Sequence, residues 1–243
     1  MTPAFAEPVI IAHRGACAVA PENTRSAIEL AIGMGAKVIE FDVRETRDGK
    51  LVLFHDDTLE RVLGRKGSIE KLNWEEVSQL DVGSWFPKGG FAGENPILLE
   101  EAIKLCLEFE VVPLIEQKSG PASAYAAVIQ RLEVTEKVIV QSFDWSFLKD
   151  LSEKMPELSL GALGKRGLDR GKLTKLKGLR PQWVGWKHSD LSSKGLEMLQ
   201  ANRFRVALWT VNDPKSARTW IERGVDAIIT DRPDEMMKLI PSQ

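Results

Sequence analysis

Short apolar segments alternate with helical patterns along almost the whole chain, and this alternation is the feature that most restricts the possible folds. Many of the segments are rich in β-branched residues and lack regular polar alternation, as expected for strands buried on both faces. Such an order predicts a parallel α/β architecture. The strand candidates are residues 9–13, 37–43, 51–55, 111–116, 138–141, 159–163, 183–186, 205–211 and 227–230.

The intervening segments have the spacing and end signals of helices. Thr24 can cap a helix that ends before Gly35, and Pro214 suits the first turn of another. The predicted helices are residues 24–34, 99–109, 122–132, 146–155, 192–202 and 214–223.

The number of strand candidates is one more than an eight-stranded barrel needs. Asp48-Gly49 is a hairpin turn signal between two of them. We therefore predict a TIM-type (β/α)8 barrel in which residues 51–55 form an extra antiparallel strand, or in which another segment lies outside the barrel. A doubly wound open sheet is the alternative, because alternation alone does not show closure. The length of 243 residues favours the barrel.

Residues 57–96 interrupt the alternation. This stretch is rich in glycine and contains Trp74, Trp85, Phe86 and Phe91. It predicts an insertion after the second strand region, with a short helix near residues 74–80. Because no low-complexity linker is present, we expect a single domain over residues 1–243.

The charge balance restricts the partners. The formal net charge is -2, from 33 basic and 35 acidic residues, which argues against a general nucleic-acid surface. Residues 1–8 lack the features of a secretory signal, and no apolar stretch reaches transmembrane length. Cys17 and Cys106 do not have zinc-like spacing. We expect a cytoplasmic protein without stable membrane insertion, and the sequence leaves its oligomeric state open.

Glu40 and Asp42 stand two positions apart on a predicted strand, so their side chains point to the same face. Two adjacent carboxylates repel each other unless a cation or proton lies between them. A site of this kind suits Mg²⁺ or Ca²⁺, whereas the simpler interpretation is an ion pair with Arg14 or Arg44.

Glu116 and Lys118 repeat this spacing at the end of another predicted strand. Two interpretations remain open for them. Glu116 is a candidate third oxygen ligand and Lys118 a candidate contact for an anion, or the two form a simple ion pair.

His13 and His55 each end an apolar strand candidate. A pair of imidazoles beside a carboxylate cluster can act as acid and base, although a single strand-end histidine is more often structural. Asp56 follows His55 directly, which favours a supporting hydrogen bond over catalysis.

Arg14 and Gly15 follow His13. The arginine fork matches phosphate or carboxylate oxygens, and glycine would let the backbone approach a ligand closely. For Asn23 helix capping is the simplest role, and Glu22 is a candidate for orienting the site from behind.

Two further side chains have competing interpretations. Cys17 lacks the tight amide loop ending in arginine that a phosphatase nucleophile needs, so we expect it to pack as a small residue. Trp209 ends a strand and is either a wall of a substrate pocket or part of the core.

Taken together, motifs across nearly the whole chain resemble the glycerophosphodiester phosphodiesterase family, and they occur in the order of that family. The matching strings are His13-Arg14-Gly15, Pro21-Glu22-Asn23-Thr24, Glu40-Phe41-Asp42-Val43, Asp48-Gly49, His55-Asp56, Glu116-Gln117-Lys118, Ser142-Phe143, Trp209-Thr210-Val211-Asn212 and Gly224-Val225-Asp226-Ala227-Ile228-Ile229-Thr230-Asp231-Arg232-Pro233.

The resemblance implies a TIM-like barrel whose site opens at the carboxyl ends of the strands. It implies hydrolysis of a glycerophosphodiester to sn-glycerol 3-phosphate and an alcohol, with a divalent metal, Mg²⁺ or Ca²⁺. By position it implies that the metal ligands are Glu40, Asp42 and Glu116, that the acid/base pair is His13 and His55, and that Arg14 and Lys118 contact phosphate. We also expect Trp209 to bind substrate.

Three other functions compete with this one. A lysophospholipase D would keep the fold and the cation but act on lysophospholipids. A metal-dependent sugar isomerase would usually need more carboxylates and histidines than we find. A binding barrel would use the same charged groups only to hold an anion. The sequence does not decide between Mg²⁺ and Ca²⁺, between headgroups, or which histidine is the acid.

Overall fold

The fold is a closed parallel barrel, seen in a computed structural model that describes residues 8–240. Residues 1–7 and 241–243, which are the two ends of the expected domain, lie outside the described residues. The first of these ranges includes all of the stretch considered as a secretory signal except residue 8. The strands are β1 Val9–Ala12, β2 Val38–Glu45, β3 Leu51–Leu53, β4 Val112–Gln117, β5 Ile139–Ser142, β6 Ser159–Gly164, β7 Trp183–Lys187, β8 Arg205–Trp209 and β9 Ala227–Thr230.

Eight of these strands pair in parallel in the order β1-β9-β8-β7-β6-β5-β4-β2, and the pairing of β1 with β2 closes the ring. The predicted barrel is therefore confirmed, and the open doubly wound sheet is wrong. Parallel closure brings the carboxyl ends of all eight strands to one rim.

The ninth strand, β3, pairs antiparallel with β2, so that Val43 lies opposite Leu53. The predicted hairpin is confirmed: the backbone N–H of Thr46 donates to Lys50, and Gly49 adopts a φ of 77° that glycine tolerates. Strand β2 extends past the rim, and β3 runs back towards it, with Phe54 N–H donating to the carbonyl of Asp42. This return is what brings residue 55 to the rim.

The helices are α1 Arg25–Gly33, α2 Glu60–Leu63, α3 Trp74–Val77, α4 Leu99–Glu108, α5 Ala122–Arg131, α6 Trp145–Lys154, α7 Arg170–Leu179, α8 Ser193–Ala201, α9 Pro214–Glu222 and α10 Pro233–Met236. The six helices predicted outside the insertion, which are α1, α4, α5, α6, α8 and α9, agree with the observed ones within one residue at each end. The short helices α2 and α10 were not predicted. Short 3-10 turns cover Ile69–Lys71, His188–Asp190 and Met237–Leu239. None of the described helices is long and apolar enough to span a membrane.

The sequence prediction did not include α7. This helix contains two glycines, and Leu176 is its only fully buried residue, so its sequence lacks the wide apolar stripe that identifies a surface helix. Its start is marked by Asp169, whose side chain accepts a hydrogen bond from Lys172 N–H.

Alternate residues of each strand face opposite sides of the barrel wall. One set fills the interior in a layer formed by Val9, Ile11, Val38, Leu114, Ile139, Trp183, Ala207, Ala227 and Ile229. The other set, which includes Ile39, Phe41 and Val43, packs against the helices in the main core.

The insertion at residues 57–96 has a small core of its own, which Val52 and Phe54 of the β3 region share with Leu59, Ile69 and Val77. The predicted helix over residues 74–80 ends earlier, at Val77. At its start, Asn73 N–H donates to Glu76 Oε2 at 2.9 Å. The insertion therefore packs against the barrel next to β2 and β3.

Candidate active site

A polar layer lies directly above the apolar layer inside the barrel. Two positions beyond Ile11, Val38 and Leu114, the inward-facing residues become His13, Glu40 and Glu116. Because inward positions recur every second residue, the apolar floor and the polar site belong to the same face of the same strands.

Three carboxylates from this layer form a buried acidic cluster. Asp42 and Glu116 are opposite each other in the pairing of β2 with β4, and Glu40 lies one inward position below Asp42. Glu40, Asp42 and Glu116 each offer a carboxylate oxygen within 4.8 Å of the other two. All three residues are buried, with exposures of 1%, 1% and 8%.

The charge of the acidic cluster is only partly compensated by protein groups. Burial and the neighbouring charge of Asp42 raise the pKa of Glu40 and of Glu116. Burial would also raise the pKa of Asp42, but Arg14 and Lys118 lower it to about 2. Glu40 Oε1 is buried and accepts no hydrogen bond from a described residue. An oxygen-rich site with an unused buried oxygen fits a hard divalent cation.

Arg14 and Lys118 flank the acidic cluster. Arg14 Nε lies 3.0 Å from Asp42 Oδ2, and Arg14 N–H donates to Glu40 Oε2 at 2.9 Å. Lys118 Nζ donates to Glu116 Oε1 at 2.9 Å and lies 3.6 Å from Asp42 Oδ1. The simple ion pairs with Arg14 and between Glu116 and Lys118 therefore exist, but they include all three carboxylates in one network. Arg44, the other candidate partner, pairs with carboxylates outside this cluster.

Backbone geometry places Arg14 in this network. Arg14 has a φ of 54° and Gly15 a φ of 79°, both in the left-handed region. A Cβ on Gly15 would lie 2.6 Å from the carbonyl carbon of Ala27 in α1. Gly15 is therefore needed for the packing of α1 against this turn, a reason for glycine other than the predicted approach of a ligand.

Asn23 also has a role other than the predicted one. Thr24 alone caps α1, with its Oγ1 accepting from Ala27 N–H. Asn23, at a φ of 59°, donates through Nδ2 to Asp42 Oδ2 and accepts from Asp42 N–H, both at 2.9 Å. These two bonds fix the orientation of the Asp42 carboxylate.

Each of the two rim histidines is bonded to a carboxylate through Nδ1. His13 Nδ1 lies 2.6 Å from Asp231 Oδ1, and His55 Nδ1 lies 2.6 Å from Asp56 Oδ1. Since an ionised carboxylate only accepts, each Nδ1 carries a proton and each Nε2 is left for chemistry. The supporting hydrogen bond predicted for Asp56 is confirmed.

The surroundings of the two imidazoles differ. Burial lowers the pKa of His55, although Asp42 and Asp56 oppose this effect. His13 Nε2 lies 3.9 Å from Glu40 Oε2, so His13 has carboxylates near both of its ring nitrogens.

The cavity above the acidic cluster has a volume of about 100 Å³. Its lining is formed by His13, Arg14, Glu40, His55, Glu116, Lys118, Gln141, Phe143, Leu163, Trp209, Thr210 and Ile229. Trp209 packs edge-to-face on Phe143, with ring centroids 5.4 Å apart, and together they form an apolar wall. One side of the cavity is thus charged and the other aromatic.

The aromatic residues of the insertion do not line this cavity. Phe86 is buried in the insertion, and Trp85 lies beneath Arg61, 5.1 Å from the guanidinium carbon to the ring centroid.

Sequence reasoning assigned no role to Asp231 or Arg61. Asp231 follows β9, which the barrel closure places beside β1, so only the tertiary structure reveals its contact with His13. Cys17 Sγ also donates to Asp231, at 3.2 Å, and burial raises the pKa of the thiol. A protonated thiol is a poor nucleophile, in agreement with the rejection of Cys17 from the sequence.

The fold and this site together define a class of protein: barrel enzymes that act on small anionic substrates at the carboxyl ends of their strands. The chain belongs to the glycerophosphoryl diester phosphodiesterase family, whose model matches residues 13–235. Membership makes it an enzyme of that family, a phosphoric diester hydrolase.

Individual relatives and structures agree with this membership. The chain is 32% identical over 243 residues to a glycerophosphodiester phosphodiesterase of Caldanaerobacter subterraneus, covering 96% of this chain and 97% of that one. It is 30% identical over 241 residues to one of Bacillus altitudinis, covering 95% and 97%. An Oleispira antarctica phosphodiesterase, solved in complex with its product sn-glycerol-3-phosphate, superposes with a TM-score of 0.89 at 27% identity, covering 97% and 98%.

Proposed function

We propose that this protein hydrolyses glycerophosphodiesters to sn-glycerol 3-phosphate and an alcohol by metal-assisted acid/base catalysis. The observation that carries the proposal is the placement of three buried carboxylates between Arg14 and Lys118, in a cavity that His13 and His55 also line. The product bound to the Oleispira antarctica phosphodiesterase supports this choice of substrate. We treat the whole chain, including the insertion, as one catalytic domain.

The ligands of the metal would be Glu40, Asp42 and Glu116. Each offers a carboxylate oxygen within 4.8 Å of the other two, and Glu40 Oε1 is buried and unused. Both features fit Mg²⁺ or Ca²⁺, which prefer oxygen donors. A bound divalent ion would offset the negative charge that develops on the phosphate oxygens in the transition state. Bringing positive charge among the three carboxylates would also relieve their mutual repulsion.

Arg14 and Lys118 would bind the remaining phosphate oxygens. Both line the cavity, and both are held by carboxylates of the acidic cluster. Donors fixed in this way need little rearrangement when charge develops on the substrate, which is the basis of electrostatic catalysis.

The two histidines would divide the proton transfers. His55 has a lowered pKa, so it is largely neutral near pH 7 and would take the proton from the nucleophile through Nε2. His13, which has Asp231 and Glu40 near its two ring nitrogens, would protonate the leaving alkoxide. The nucleophile would be either water or the neighbouring hydroxyl of the substrate's own glycerol, which gains from proximity and gives a cyclic phosphate that water opens.

Trp209 and Phe143 would bind the apolar face of the substrate opposite the charged wall. The indole Nε1 of Trp209 is buried and has no acceptor among the described residues, so it would be available to a substrate oxygen. A small molecule with one apolar and one anionic side suits a cavity that has an aromatic wall and a charged wall.

A coupled assay for glycerol 3-phosphate tests the proposal. Purified protein is incubated with Mg²⁺, with Ca²⁺ or with a chelator, on glycerophosphocholine, glycerophosphoethanolamine, glycerophosphoglycerol and glycerophosphoinositol. We expect release of glycerol 3-phosphate that stops with the chelator and returns when the metal is restored. Lysophosphatidylcholine is included, and faster release of choline from it would favour the lysophospholipase D.

Two variants separate catalysis from binding. His13→Ala and His55→Ala should each lower turnover by roughly 100-fold or more. Absence of product from every substrate and metal would favour a barrel that only binds anions. Near-normal turnover of both variants would remove the acid/base roles but keep the phosphodiesterase activity.

A further inference from the structure

We propose that Arg61, which comes from the insertion, is a positioning residue that holds Arg14 and His55 in their working arrangement. The inference rests on the proposed function of those two residues. It assigns the insertion a part in catalysis, although its aromatic residues do not line the cavity.

Arg61 bridges two carboxylates that belong to different parts of the chain. Its Nη1 and Nη2 donate to Glu22 Oε2 and Oε1 at 3.0 and 2.7 Å. Its Nε donates to Asp56 Oδ2 at 2.6 Å. Glu22 precedes α1 and Asp56 follows β3, so one guanidinium joins the segments on either side of the site.

Besides Arg61, each of these carboxylates contacts a residue of the proposed mechanism. Glu22 Oε1 accepts from Arg14 Nη1 at 2.8 Å, and Asp56 Oδ1 accepts from His55 Nδ1 at 2.6 Å. The contacts form one continuous path, Arg14–Glu22–Arg61–Asp56–His55. Arg61 is thus the central link between the phosphate-binding arginine and the histidine that would act as base.

The geometry requires an arginine at this position. The planar guanidinium offers donors in fixed directions, and here they satisfy two carboxylates at once. Arg61 lies over the ring of Trp85 at 5.1 Å, which supports its plane from the insertion side. The side chains of Glu22 and Asp56 are only 14% and 19% exposed, so these ion pairs are more protected than ordinary surface pairs.

The charge of Arg61 also reaches His55 through Asp56. Hydrogen bonds from Arg61 and His55 lower the pKa of Asp56, against the effect of its partial burial. Without Arg61, the Asp56 charge would act on His55 alone and stabilise its imidazolium. The other charged groups that act on His55 are Asp42, Arg14 and Lys118, and the substitution of Arg61 leaves them in place.

The first test compares Arg61→Met with Arg65→Met. Arg65 is an exposed arginine of the same insertion that contacts neither Glu22 nor Asp56. We expect Arg61→Met to lower kcat by roughly 10-fold or more, which is typical of residues that orient a functional side chain through a hydrogen bond. We also expect the acidic limb of its kcat/KM profile to move to higher pH, because His55 protonates more easily. Arg65→Met should match the wild type in both respects.

A conservative variant separates charge from geometry. Arg61→Lys keeps a positive charge beside Asp56 but cannot bridge both carboxylates with a planar fork. Arg61→Lys should have an acidic limb of kcat/KM close to that of the wild type, and a kcat between those of Arg61→Met and the wild type. A purely structural role would reduce the amount of active enzyme and leave the position of the limb unchanged.

A third variant removes the aromatic ring on which the Arg61 guanidinium lies. Trp85→Leu removes the ring beneath the guanidinium and should lower kcat by about two- to fivefold, whereas Trp85→Phe should keep most of the activity. Thermal midpoints of all variants are measured alongside. If Arg61→Met fails to fold, Arg61→Lys and Trp85→Leu decide the matter.

The outcomes are distinguishable from failure of the proposed function. If the wild type releases no glycerol 3-phosphate, the proposed function is wrong. If the wild type is active and folded Arg61→Met has the same kcat and the same acidic limb, the role of Arg61 is overturned. Equal losses in Arg61→Met and Arg65→Met would likewise overturn it, since they would show a general effect of charge on the insertion.

Discussion

Replacing Asp231 by Asn tests whether His13 depends on its carboxylate partner. Asp231 Oδ1 lies 2.6 Å from His13 Nδ1, and the carboxylate also accepts from Cys17 Sγ and from Asn212 Nδ2. These contacts hold the pKa of Asp231 below its usual range despite partial burial. Asn has the same shape but no charge, and its amide can donate to Nδ1. Nδ1 would then accept a hydrogen bond instead of donating one, and the imidazolium that gives its Nε2 proton to the leaving alkoxide would lose the negative charge beside it.

The expected loss follows from the strength of this bond. A hydrogen bond to a charged group contributes about 1.5–3 kcal/mol, and about 1.4 kcal/mol corresponds to a tenfold change in rate. Asp231→Asn should therefore lower kcat by roughly 10- to 150-fold. The affinity for the metal should not change, because Asp231 touches none of the three proposed ligands.

Steady-state release of glycerol 3-phosphate measures the effect, and the thermal midpoint checks that the variant is folded. Asp213→Asn is the matched control, because Asp213 caps α9 with an exposed carboxylate that contacts neither His13 nor Asp231 and Asn caps helices equally well. A folded Asp231→Asn enzyme that keeps more than half of the wild-type kcat would refute the reasoning.

The remaining predictions concern the acidic cluster, the rim histidine and the turn before α1. Glu40→Gln should lower metal-dependent turnover by roughly 100-fold or more. It should also raise the thermal midpoint of the metal-free protein, because it removes a charge that burial and the neighbouring carboxylates disfavour, as the raised pKa of Glu40 indicates. A lower metal-free midpoint would contradict this. Because burial lowers the pKa of His55 below 6.5, the base stays neutral to lower pH than a free imidazole, so the acidic limb of kcat/KM should lie below pH 6.5; a limb above that value would assign another group. Gly15→Ala should lower the free energy of unfolding by about 1–3 kcal/mol, because φ is 79° and the new Cβ would meet Ala27; denaturant unfolding measures it, and an unchanged midpoint would count against the argument.

Much of the fold was predictable because it depends on local periodicity. The strands were found because residues buried on both faces give continuous apolar segments, and most helices because their apolar positions recur on one face. Helix α7 was missed for the corresponding reason: with Leu176 alone fully buried, it presents no stripe to detect.

The acidic pair was predictable because it too depends on local periodicity. Glu40 and Asp42 share a face because strand geometry has a period of two, and this holds in any fold. The structure then shows Phe41 in the core against the helices, on the opposite face. The resemblance to a family supplied the grouping of this pair with Glu116, which spacing alone left open.

What the sequence determined by itself is therefore everything that depends on neighbours along the chain: strand and helix positions, the hairpin at Asp48-Gly49, and the common face of Glu40 and Asp42. Only the tertiary structure decided which distant groups meet. Closure of the barrel brings Asp231 to His13, the return of β3 brings His55 to the rim, and the insertion brings Arg61 between Glu22 and Asp56. These contacts join residues that are far apart in sequence, and no local pattern encodes them, because each depends on how whole elements pack together.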